Sequence, residues 1–298
     1  MFDYKLIATF ATVVREGGFD KAARVLHITQ SAVSQRIKLL EGLAGQVLLG
    51  RTTPLQPTAA GQALLKHYLQ VKRLEDDLVD EIGGPADKEF ASIAVGVNAD
   101  SLALWLLKAI HPLLSAERLL LDIRVDDQEQ THRLLKNGEV MGCISSQQKP
   151  MQGCNVEYLG CMHYRMTAAP DFVSRWFSAG FTLEAVHRAP ALLFNRNDAL
   201  HRKFLQQAFG EVPAILPNHF VPSVEKYAEM IRLGLAYGML PEQQSTPLLH
   251  AGQICDLLPG CRVAVKLYWH YWSLDSKLLT TFTRRLTAGA KTLLAQEE

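Results

Sequence analysis

Apolar residues in the segment ITQSAVSQRIKLLE recur at Val33, Ile37 and Leu40, spacings of four and three that mark the buried face of a helix. The pattern predicts helices over Tyr4–Glu16, Asp20–Leu26 and Gln30–Leu40, with only His27, Ile28 and Thr29 between the last two. Asp20 and Thr29 stand where a side-chain oxygen would cap a helix N-terminus. Two helices joined by so short a turn make a helix-turn-helix. The stretch VLLGRTTPLQPT after Gly45, rich in β-branched and turn-forming residues, predicts a small β-wing.

A long helix is predicted from Ala59 onward, AAGQALLKHYLQVKRLEDDLVDEI. Leu64, Tyr68, Val71, Leu74 or Glu75, Leu78 and Ile82 approximate a heptad seam. No neighbouring segment is evident to cover it, so a second copy of the chain is the expected partner. Gly83-Gly84-Pro85 then breaks the helix and reads as a hinge.

From Glu89 strand and helix patterns alternate: strands over Ser92–Val97, Leu119–Val125 and Met141–Ser145, with helices over Leu102–Leu114 and Glu129–Asn137 between them. A second set runs Tyr164–Ala168, Ala191–Phe194, His201–Phe209, His219–Val221, Val224–Leu233 and Tyr237–Leu240. A strand over Arg262–Trp269 and a helix over Ser276–Leu294 follow. Alternation of this kind implies βαβ units and a parallel sheet covered on both faces. The expected organisation is two α/β subdomains, the chain crossing out near residue 160 and back near 265.

Composition refines this picture only slightly. With 298 residues, 48% of them hydrophobic, the chain can bury the cores of two or more domains. The formal net charge of +1 gives no global basic signal, but residues 1–58 hold seven Lys/Arg against four acids, a local net of +3. Five cysteines, at 143, 154, 161, 255 and 261, show no CxxC pair or zinc-ligand spacing and read as reduced core thiols. The N-terminal MFDYKLIATF lacks the pattern of a secretory signal, and no apolar run approaches the ~18 residues of a membrane span. The expectation is a cytoplasmic protein with no membrane contact and no metal or other cofactor.

Opposite its buried stripe, the third helix carries Gln30, Ser31, Ser34, Gln35 and Lys38. A helix fits the major groove of DNA, where Gln30, Ser31, Ser34 and Gln35 suit base edges and Arg36, Lys38 and Arg51 suit phosphates. Phosphate contacts position such a module and base contacts specify its sequence. An ordinary solvated helix in a bundle could carry the same residues. The combination Phe19-Asp20-Lys21-Ala22-Ala23, Gln30-Ser31-Ala32-Val33-Ser34-Gln35-Arg36-Ile37 and Leu40-Glu41 resembles the N-terminal domain of LysR-type transcriptional regulators. Leu48-Leu49-Gly50-Arg51 and Pro57-Thr58-Ala59-Ala60-Gly61 resemble that family's wing and the start of its linker helix. One departure stands out: where family wings carry further basic residues after the Arg51 position, TTPLQPT offers none.

The resemblance implies a fold: an N-terminal all-α winged helix-turn-helix at 1–58, a linker and dimerisation helix with hinge at 59–85, and a periplasmic-binding-protein-like effector domain at 86–298. Within the last, subdomain I would comprise 86–160 and 266–298, and subdomain II 161–265. Implied partners are a double-stranded DNA operator, further copies of the chain in a homodimer or tetramer, and RNA polymerase.

Ligands of open α/β sheets bind beyond the carboxyl ends of strands. The first strand ends in Asn98-Ala99-Asp100-Ser101, where helix amides suit a carboxylate. The second ends in Asp126-Asp127, two acids that would attract a cation or merely cap the next helix, and the third in Ser145. Phe194, Asp198 and Ser223 are candidate walls of the second subdomain. The phrases VNADSLALWLL, VDDQEQT, GEVMGCIS, SVEKYAEMIRLGLAYGMLP and LYWH resemble one LysR-type subgroup, the regulators of lysine and arginine export. That resemblance implies L-lysine or L-arginine as effector. An enzyme acting on an amino-acid-like molecule and a sequence-independent architectural DNA binder are the alternatives. GxSxG, P-loop and GxGxxG signatures of catalysis are absent, and the modest basicity of the head argues against the architectural reading.

Overall fold

The computed structural model describes residues 3–50, 55–82, 90–126 and 131–296. In the head, α1 (Tyr4–Glu16) is capped by the Asp3 side chain and ends at Gly17 in the left-handed conformation. α2 (Phe19–Val25) starts at Gly18 without a side-chain cap. Asp20 therefore lies inside the first turn, where its charge complements the helix dipole instead of capping it. α3 (Gln30–Ala44) is capped by Thr29, whose Oγ1 accepts from the Ala32 amide at 3.2 Å. It continues beyond Leu40 because its stop is Gly45, again left-handed. Phe10, Val13, Ala22, Val33, Leu40 and Leu48 are fully or almost fully buried at the centre of the head.

The wing is fastened by Glu41, whose Oε1 accepts from the Leu48 and Leu49 amides at 2.8 and 3.4 Å. Leu49 bridges to Pro57, and the Gly50 amide donates to the Gln56 carbonyl at 2.7 Å. α4 (Ala59–Glu81) starts from Thr58, which accepts from the Gly61 amide at 3.1 Å. The first half of the expected seam is covered by the head of the same chain. Leu64 and Tyr68 pack on the head core, with the Tyr68 ring 5.4 Å from Tyr4. The second half is bare: Leu78 is 56% exposed and Ile82 73%. The expected hinge at 83–85 lies outside the described residues.

The rest of the chain builds on one mixed sheet. β1 (Ala91–Val97) leads into α5 (Ala99–Ser101), which passes through a π-helical stretch, Leu102–Leu106, into α6 (Leu107–Ala116). β2 (Leu119–Val125), α7 (Thr131–Lys136) and β3 (Gly142–Ser145) follow. Next come β4 (Cys154–Ala168), α8 (Pro170–Trp176), α9 (Leu183–Arg188), β5 (Ala191–Leu193), α10 (Leu200–Phe209) and β6 (Asn218–Phe220). α11 (Val224–Arg232), β7 (Tyr237–Pro241), α12 (Glu242–His250), β8 (Cys255–Asp256), β9 (Val263–Trp272) and α13 (Lys277–Leu293) complete it.

The described strands run in the order β2-β1-β3-β9-β4-β7-β5-β6, with β8 beside β4. The sheet is thus not purely parallel. β4 and β9 pair antiparallel along most of their length, from Cys154↔Trp272 to Tyr164↔Val263, with an irregularity between Tyr158 and Gly160. These two strands join a β2-β1-β3 half to a β7-β5-β6 half. The run Tyr268–Trp272 lies in β9, where Trp269 and Trp272 are buried. All five cysteines are free thiols.

Candidate functional site

Two surfaces carry the expected residues. On α3, Gln30, Ser31, Gln35 and Lys38 are exposed and Ser34 is half-buried. The Ser31 hydroxyl shares a 3.0 Å hydrogen bond with the Thr29 cap. Arg36 is half-buried and donates through Nη1 to the Thr9 hydroxyl at 3.2 Å, so its head ties α3 to α1. Arg51 lies outside the described residues.

The second surface is a cleft where the two halves of the sheet meet, spanning about 740 Å³ with its open, solvent-filled mouth included. The end of β1 contributes Asn98, Ala99 and Asp100, and the end of β2 contributes Asp126. From the other half come Phe194 and the turn Asn197-Asp198-Ala199-Leu200, then Lys203, Val224, Tyr227 and the β7–α12 junction through Gln244. Tyr164 of β4 completes the lining.

Asp100 keeps one side open to the cleft and is otherwise enclosed by protein. Tyr164 donates to its Oδ2 at 2.6 Å. Burial pushes the Asp100 carboxyl up, the Tyr164 bond pulls it partly back, and the nearby charge of Asp198 adds to the rise. The Tyr164 hydroxyl is itself held well above the usual tyrosine range, by burial first and by Asp100 second. Asp198 both lines the cleft and shapes it, accepting from the Phe194 amide at 3.0 Å and the Leu200 amide at 2.9 Å. Tyr227 is committed internally, donating to the Leu192 carbonyl at 2.5 Å and accepting from the Met239 amide at 3.2 Å. Among the described lining residues, three carboxylates (Asp100, Asp126 and Asp198) face one cation, Lys203. The cleft therefore favours a cationic guest.

Three of the expected serines do not reach this lining. Ser101 is buried behind it, Ser145 is buried and accepts from the Gln147 amide at 3.2 Å, and Ser223 caps α11 by accepting from the Lys226 amide at 3.4 Å. Asp127 lies outside the described residues. Tyr164, Asn197, Lys203, Tyr227 and Gln244 were not expected. Gln244 follows the carboxyl end of β7, so the strand-end rule applied to that strand would have found it.

The residues match two family models, the bacterial regulatory helix-turn-helix protein of the lysR family over 4–62 and the LysR substrate binding domain over 90–291. The chain is 42% identical over 297 residues to an HTH-type transcriptional regulator ArgP of Proteus mirabilis, covering 99% of this chain and 98% of that one. The crystal structure of ArgP from Mycobacterium tuberculosis superimposes with a TM-score of 0.90 at 38% identity, covering all of both chains. Full-length LysG of Corynebacterium glutamicum, solved with bound effector Arg, gives a TM-score of 0.78 at 31% identity, covering 99% of this chain and 100% of that one. A helix-turn-helix head, a linker helix and a two-halved domain with an enclosed cleft thus coincide with both family models, and the chain belongs to the LysR family of bacterial transcriptional regulators.

Proposed function

We propose that the protein binds specific operator DNA through α3 and responds to a basic amino acid, L-arginine or L-lysine, held in the cleft. The excess of carboxylates over cations in the cleft lining carries this reading. Asp100, Asp126 and Asp198 serve the ligand's positive groups, while Lys203 and the free amides at the start of α5 serve its α-carboxylate. The effector Arg in the related LysG structure agrees with this chemistry. On the head, Gln30, Ser31, Ser34 and Gln35 read base edges, and Arg36, Lys38 and Arg51 grip phosphates.

Copies of the chain associate through the bare half of α4 and so present two heads to two half-sites. We retain 1–58, 59–85 and 86–298 as the functional divisions. A ligand that binds the closed cleft more tightly than the open one shifts the population of head arrangements and thereby promoter occupancy. Among the described residues, no helix is long and apolar enough to cross a membrane.

Calorimetric titration with L-arginine, L-lysine and L-leucine tests the effector reading. Binding of either basic amino acid, absent for leucine and lost on Asp100→Ala/Asp126→Ala in a protein that still folds, is the expected result. Equal binding of leucine would reject it.

A further inference from the structure

Among the described residues, two amide oxygens at the cleft lack a hydrogen-bond partner, one on each wall. Asn98 occupies the position preceding α5 but makes no capping bond, and its buried Oδ1 accepts from nothing described. Gln244, in the first turn of α12, donates its Nε2 to the Val224 carbonyl at 3.4 Å. That bond leaves Oε1 as the acceptor at the cavity wall, again buried and without a partner. A buried acceptor left unmade costs free energy that a donor arriving from outside recovers.

Neither tyrosine hydroxyl of the lining supplies that donor. Tyr164 already donates to Asp100, and Tyr227 to the Leu192 carbonyl. The three carboxylates add further acceptors. The site is thus rich in acceptors and asks for a ligand rich in donors. A guanidinium presents five N–H groups in a rigid planar fork, whereas an ammonium presents three from one point. Carboxylates neutralise either cation. Neutral amide oxygens on opposed walls discriminate by the number and direction of the N–H groups they can engage.

Resting on the basic amino-acid reading above, we propose that Gln244, which lines the cleft together with Asn98, is the specificity-determining acceptor that reads a guanidinium, so that the cleft prefers L-arginine to L-lysine. Gln244 belongs to the β7 half and Asn98 to the β1 half, so a ligand bonded to both also draws the two walls together.

The test is calorimetric titration of the full-length protein with L-arginine and L-lysine, in wild type, Gln244→Leu and Gln244→Glu, with folding checked by thermal melting. Wild type should bind arginine more tightly. Gln244→Leu should lose about ten- to a hundredfold in arginine affinity, the range for a hydrogen bond to a charged group, and distinctly less for lysine. Gln244→Glu, which replaces the neutral amide oxygen by a carboxylate, should bind both amino acids more tightly and narrow the preference, so the ratio is still read if Gln244→Leu folds poorly. Equal affinities in wild type, or an unchanged arginine-to-lysine ratio in Gln244→Leu, would overturn the proposal while leaving the effector class intact. Failure of wild type to bind either amino acid would overturn the effector class itself.

Discussion

The Tyr164 hydroxyl and the Asp100 carboxylate meet at 2.6 Å on the cleft wall, joining the central strand β4 to the first turn of α5. The bond partly offsets the desolvation of a charge held against protein on most sides. It also fixes one carboxylate oxygen, leaving the other to face the cleft. A negative charge kept in a partly closed site beside other acids is unfavourable in the free protein and becomes favourable once a cation enters.

The first prediction concerns Asp100→Asn. The Asp100 pKa is raised by burial, so the folded state binds its proton more tightly than the unfolded chain does. The folded state therefore loses stability as pH rises through the elevated pKa. Ligand-free Asp100→Asn should melt higher than wild type at pH 8, with a gain that shrinks as the pH is lowered and the wild-type carboxyl takes up its proton. The upward melting shift expected of wild type with L-arginine should shrink in the variant. An equal loss of melting temperature across this pH range would show that the carboxylate is a net structural support instead.

Arg36 and Lys38 should separate two roles on one helix. Lys38 is exposed, and Lys38→Ala should weaken DNA binding nearly uniformly across sequences, reducing the slope of log affinity against log salt by about one. Arg36 also fastens α3 to α1 through Thr9, so Arg36→Ala should lower head stability by about 1 kcal/mol in addition. Denaturant unfolding of both variants, alongside salt titrations on operator DNA, measures the difference. Equal stability of the two would confine Arg36 to the DNA.

The Arg36–Thr9 bond marks the limit of what the sequence disclosed. Periodicity located α1 and β2 at their observed bounds because each carries a regular apolar pattern between clear breaks. Strand-end reasoning found Asn98, Asp100, Asp126, Phe194 and Asp198, all of which line the cleft. The first half of β4 escaped because Asn155 and Gly160 interrupt its pattern, and without it the antiparallel crossover with β9 was invisible. Helices α8 and α12, which the sequence pattern did not indicate, contain Pro170 and Pro247, and Pro170 occupies a first-turn position where no amide is needed. The Thr9–Arg36 bond and the orphaned Gln244 oxygen depend on which distant groups meet, and no local spacing encodes that.

The bare half of α4 should control assembly. Leu74, Leu78, Val79 and Ile82 leave an apolar strip on a helix whose other end is covered by the head. Leu78→Glu would place a charge in that strip and should shift the protein toward smaller species in light scattering at micromolar concentration. Operator affinity should fall with it, because two linked heads gain from effective concentration and single heads do not. An unchanged mass would mean that this strip is not a contact between copies.

Gly61 offers a test whose sign is informative. It lies in the first turn of α4, where replacing an interior helical glycine by alanine ordinarily stabilises by about 1 kcal/mol. Here a Cβ would run into the Leu48 carbonyl and stand 3.2 Å from the ring of Phe10, both parts of the wing and core of the head. The Leu48 carbonyl cannot withdraw freely, since it accepts from the Thr58 amide at 2.9 Å and the Leu48 amide is held by Glu41. Gly61→Ala should therefore destabilise the head by about 1–3 kcal/mol, the usual cost of overpacking, and tilt α4 away from the wing. Denaturant unfolding reads the first effect and weakened operator binding the second. A stabilised variant would mean that α4 and the wing are less closely packed in solution than this contact requires.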